Sequence, residues 1–105
     1  MLYVVTLNYA RPIEEINGHL DAHKQWLGRF TKSGHILAAG PLADGTGGVM
    51  LVHCAGSDEL EAMMEQDAFV IERVVTVSVQ SFEPALRAEA FAAQWAPLAK
   101  AIAAG

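Results

Sequence analysis

The chain has 105 residues, enough for one domain with its own hydrophobic core. Hydrophobic residues make up 52% and charged residues 18%, which excludes a disordered chain, and a net charge of −5 with scattered Lys and Arg argues against nucleic-acid binding. The single cysteine, Cys54, has no internal disulfide partner, no signal-peptide pattern opens the chain, and no apolar run is long enough to span a membrane, so a cytoplasmic protein is expected.

"LYVVTL" at residues 2–7 is β-branched and aromatic and predicts a strand. Pro12 suits a first helical turn, and Ile13, Ile16, Leu20, Leu27 and Phe30 carry a helical period that Gly34 stops after Lys32. "HILAAG", the turn-rich "ADGTGG" and "VMLVH" predict a hairpin. Ser57 or Asp58 is expected to cap a second helix with Leu60, Met63 and Met64 on its apolar edge, and "VVTVSVQSF" follows as a strand with Val75, Val77 and Val79 on one face.

This order, β-α-β-β-α-β, predicts an α+β, ferredoxin-like domain over residues 1–83, an antiparallel sheet with both helices on one face. The open face would expose valines and aromatics, which a second copy could cover as a homodimer. Phe91, Trp95, Leu98 and Ile102 recur at helical spacing and predict a C-terminal helical extension over residues 84–105, with Pro97 bending or breaking it.

Each predicted helix carries one ionisable misfit. At about 100° per residue, His23 falls in the middle of the stripe made by Leu20, Leu27 and Phe30, and Asp67 falls in the middle of that made by Leu60, Met63 and Met64. In this topology the two faces are neighbours, and a His–Asp hydrogen bond would offset the cost of burying the carboxylate. Such a carboxylate fixes one imidazole nitrogen and leaves the other to give or take a proton. The plain alternatives are a structural core histidine and an aspartate that terminates its helix.

Other patterns carry less. His19 and His23 are four apart without a third metal ligand, and "GTGG" lacks the Lys-Ser/Thr of a phosphate loop. Cys54 beside His53 reads as a small packed residue, no Ser-His-Asp set can be assigned, and Trp26 reads as core that borders the His23 side.

Taken together, the histidine in the first helix, "GHILAAGPL", "DGTGG" and an acidic residue before "AFV" resemble the YciI-like (YCII-related) family over residues 1 to about 83. The resemblance implies a ferredoxin-like fold that dimerises into an α/β barrel and a site built from His23 and Asp67. The family usually has Asp-Pro before the aromatic, where this chain has Asp67-Ala68-Phe69. Some related proteins are lyases or isomerases of small chlorinated or lactone-like rings. The expectation is a small-molecule pocket in which His23 is general acid/base, Asp67 orients it, Gly40 and Pro41 let backbone approach, and Trp26 and Phe69 form apolar walls. Proton transfer of this kind needs no cofactor or metal. A non-catalytic binding module and a purely structural dimer component are the rival readings.

Overall fold

In the computed structural model, which describes all 105 residues, the β-branched run after Met1 forms β1 (Leu2–Tyr9). It lies between β3 (Gly47–His53) and β4 (Val75–Phe82), and β2 (Ile36–Pro41) flanks β3 on the outside. All neighbours are antiparallel, so the expected α+β plan with a four-stranded antiparallel sheet is present. Register pairs Val5 with Met50 and Val79, and Leu7 with Gly48 and Val77, which puts these residues on one face. Tyr3, Val5, Leu7, Met50 and Val52 are buried there under the helices and form the centre of the core.

The opposite face is less apolar than the sequence suggests. Its β2–β3 half presents Ala38, Val49 and Leu51, and β1–β4 adds Leu2, Val4 and Phe82 at one end but Thr6, Asn8, Thr76, Ser78 and Gln80 over the rest. The exposed Val77 and Val79 lie on the helix side of the sheet, farther along β4 than Val75, which is buried.

The expected first helix is two helices, α1 (Ile13–Gly18) and α2 (Leu20–Lys32), broken at His19. Asn17 and Gly18 are poor helix formers, which localises the break. α2 ends as expected at Gly34, whose φ of 84° permits a Schellman closure: Gly34 N–H donates to Thr31 O, and His35 N–H to Phe30 O. The second helix is likewise divided. α3 (Ser57–Met64) has Gly56 at its N-cap rather than Ser57 or Asp58, which lie in its first turn. α4 (Ala68–Ile71) follows after a corner, with Asp67 at its N-cap. It closes by the same motif as α2, with Arg73 taking the left-handed position at φ 56°.

Residues 84–105 do not form the expected helix. β5 (Leu86–Ala88) pairs in parallel with β6 (Lys100–Ile102), and only a 3-10 turn, Ala93–Trp95, lies between them. Pro97 cannot donate to a helical carbonyl and disfavours helical backbone at the residue before it; Ala96 adopts φ −148°. Phe91 and Trp95 still meet, edge to face at 5.2 Å, across this turn instead of along a helix.

Candidate functional site

Three side chains on successive turns of α2 tie it to the corner between α3 and α4. His23 Nδ1 lies 2.8 Å from Asp67 Oδ1, Trp26 Nε1 donates to Met63 O at 3.0 Å, and Arg29 Nη2 donates to Gln66 Oε1. A spacing of three residues keeps all three near one helical face. The first of these bonds is the one with chemical use. Asp67 is wholly buried, and its Oδ1 also accepts from Phe69 N–H at 3.2 Å, the N-cap bond that begins α4. One carboxylate oxygen therefore holds the imidazole and the helix that carries Phe69. Its Oδ2 is buried without a partner.

The His23 ring is fixed on its flat side too. Phe69 stacks on it at 3.9 Å between centroids and 8° between planes, and Trp26 stacks at 5.9 Å and 23°. Nε2 has no hydrogen-bond partner in the chain, yet it is not among the sealed, unpartnered polar atoms. His23 belongs to the lining of a cavity of about 280 Å³ between α2 and the sheet. An imidazole in a cavity wall whose Nδ1–H is held by a carboxylate has its other nitrogen left to accept or return a proton.

The structure brings His23, Phe69, Gly40 and Pro41 to this cavity and Asp67 behind it. Trp26 is not in the lining: its indole N–H bond to Met63 O turns the ring into the α2–α3 interface, where it backs His23. Gly40 is not required for close approach either, since a Cβ there would meet nothing within 4 Å. The close approach belongs to Gly47, where a Cβ would fall 1.9 Å from Leu7 O. Gly48 faces the cavity side opposite Leu7 and leaves its floor empty. The sequence reading assigned these glycines to a tight turn and so missed them. It also missed Tyr9, which continues the alternation of Tyr3, Val5 and Leu7, and Lys24, next to His23 on the open side of α2.

Other polar groups lie elsewhere. No three His, Cys, Asp or Glu side chains converge as a metal site would require. Burial, with the nearby Glu59 charge second, pushes the Cys54 thiol up to about 11, which keeps it protonated and unreactive at neutral pH. Ser33, His35 and Glu59 form a chain on the surface, with contacts of 2.6 and 2.8 Å. Ser33 Oγ donates to Phe30 O at 2.9 Å as part of the α2 terminus, so its proton is not offered to the imidazole.

A family model for the YCII-related domain matches residues 1–83. The chain belongs to the YCII-related family. Its tail, from residue 84, lies outside the match. Among solved structures, the chain is similar to 5-chloro-2-hydroxyhydroquinone dehydrochlorinase (TftG) from Burkholderia phenoliruptrix AC1100, in complex with 2,5-dihydroxybenzoquinone. The TM-score is 0.68 at 20% identity, over 79% of this chain and 94% of that one. At this identity the likeness concerns the fold. No curated protein sequence matches the chain. No helix is long and apolar enough to cross a membrane.

The family's usual Asp-Pro is Asp67-Ala68 here, and the local geometry explains how the aspartate keeps its place. Asp67 has the extended backbone, φ −77° and ψ 128°, that a following proline would impose. The N-cap bond to Phe69 N–H does the orienting instead.

Proposed function

We propose that this YCII-related protein is a small cofactor-independent lyase or isomerase, in which His23 is the general acid/base and Asp67 its positioning partner. The observation that carries the reading is the 2.8 Å contact from His23 Nδ1 to a wholly buried carboxylate, with Nε2 unpartnered and His23 in the lining of a cavity. With Nδ1–H donating to Asp67, Nε2 takes a proton from a carbon or hydroxyl of the substrate and returns it at another atom or to a leaving group. Phe69 and Pro41 bound the ring of a small carbonyl, phenol or lactone-like molecule. The structural neighbour, by its name a dehydrochlorinase of a hydroxyhydroquinone, agrees with elimination on such a ring. The reading extends to a homodimer in a barrel arrangement of two ferredoxin-like domains, with the apolar β2–β3 half of the open face covered by a second copy.

The test is proton exchange rather than a guessed product. A panel of phenols, cyclic ketones and lactones is incubated in deuterated buffer, and loss of carbon-bound protons is followed by NMR. At least one compound is expected to exchange in the presence of the wild type, and His23→Asn to slow this by about 100-fold or more. Exchange that survives His23→Asn overturns the acid/base assignment. Binding without any exchange leaves the cavity as a binding module.

A further inference from the structure

We propose that Lys24 makes the His23 cavity a site for organic anions: a ring-sized molecule with one ionised oxygen, such as a phenolate, enolate or ring carboxylate, whose oxygen meets the Lys24 ammonium. The proposal deepens the functional reading above and rests on its assignment of the cavity as the substrate site.

Lys24 is the one residue with a permanent charge in the cavity lining. It enters no ion pair and no hydrogen bond, whereas Arg11 is bound to Glu15 and Arg29 to Gln66. Its position follows from the helix: one residue beyond His23, its stem leaves α2 about 100° around the axis. The imidazole therefore sits in the buried wall, and Lys24, which is exposed, stands at the mouth.

The rest of the lining decides what that cation can recognise. Leu7, Leu20, Leu27, Val49 and Met50 offer only hydrocarbon or thioether, and the polar side chains beside Lys24 are His23 and Tyr9, neither of which carries a fixed positive charge. Bringing an ion among them costs several kcal/mol unless its charge is met. An anion is therefore best met with its charged oxygen at Lys24, the one fixed cation of the lining, and its apolar ring inward beside His23. A net charge of −5 over the whole chain disfavours anions in general, and the Lys24 cation offsets this at the cavity. The same ammonium also suits the chemistry. Removing a proton from a ring next to a carbonyl or hydroxyl puts negative charge on oxygen, and a cation already facing that oxygen stabilises it.

Benzoate and its neutral isostere benzamide separate charge from shape. Each is titrated into isotopically labelled protein while the backbone amides of Gly48 and Val49 are followed by NMR. In the wild type benzoate is expected to bind about tenfold more tightly, the increment of one charge-assisted hydrogen bond. Lys24→Met should remove that advantage and leave benzamide unchanged, Lys24→Arg should restore it, and added salt should weaken benzoate alone. Equal affinities in the wild type overturn the proposal, as does unchanged benzoate binding in Lys24→Met, or benzoate shifts that bypass Gly48 and Val49. These readouts need no turnover. Lys24-dependent benzoate binding without proton exchange would reject the catalytic reading and keep this one. His23-dependent exchange that ignores Lys24→Met would do the reverse.

Discussion

Two histidine–carboxylate pairs in this chain share a contact distance and little else. His23 and Asp67 meet at 2.8 Å, as do His35 and Glu59. The side chains of the first pair are 11% and 0% exposed, those of the second 31% and 43%. The first pair joins α2 to the α3–α4 corner beside a cavity; the second joins the end of α2 to the start of α3 at the surface. Distance alone therefore marks neither as a site. What distinguishes His23 is a carboxylate that cannot turn to water, a ring clamped by Phe69, and a free nitrogen with somewhere to act.

The largest effect expected from breaking this contrast is at Asp67. Asp67→Ala removes the acceptor for His23 Nδ1 and the N-cap of α4 together. An unsatisfied buried donor costs about 1–3 kcal/mol, and a lost cap about 1 kcal/mol more. Chemical denaturation should report a loss of about 2–4 kcal/mol. Asp67→Asn keeps an oxygen for both donors, so it should retain most of the stability while impairing proton exchange. Equal stability of Asp67→Ala and the wild type would mean that the bond to His23 contributes nothing to holding the corner.

How far the two partners were readable from sequence differs for a physical reason. His23 sits within a continuous helical stripe, so its inward direction follows from Leu20, Leu27 and Phe30 alone. Asp67 was placed on the correct side through a helix that ends before it, at Met64. The wheel survives that break because the corner keeps winding: Gln66 N–H donates to Met63 O and Asp67 N–H to Met64 O. The tail had an equally good period and failed, since Pro97 withholds one donor and redirects Ala96. The cavity itself was not legible. It depends on the cross-strand register that sets Gly48 opposite Leu7, and no local pattern encodes which glycine faces inward.

A smaller change sharpens the comparison from the stabilising side. Ala68 is the first residue of α4, and its N–H makes no hydrogen bond. The backbone of Asp67 already has the extended form that precedes proline. Ala68→Pro, the family's usual residue, should therefore stabilise the fold by about 0.4–1 kcal/mol by restricting the unfolded chain. That corresponds to a rise of about 2–6 °C in Tm. A fall in Tm would mean that α4 in this chain is set at an angle that proline cannot meet, with Asp67 held by its N-cap bond alone.

The smallest effect belongs to the surface pair. In Glu59→Gln the partner of His35 loses its charge but keeps an oxygen within reach. Exposed ion pairs contribute about 0–1 kcal/mol, and salt screens them. The variant should therefore unfold within about 0.5 kcal/mol of the wild type at low salt, and indistinguishably from it at high salt. Benzoate binding and proton exchange at the cavity should not change, since neither His35 nor Glu59 lines it. A loss approaching that of Asp67→Ala would show that the end of α2 depends on this pair. The contrast would then lie in access to a cavity and no longer in stability, because both pairs would hold the fold and only His23 would face a ligand.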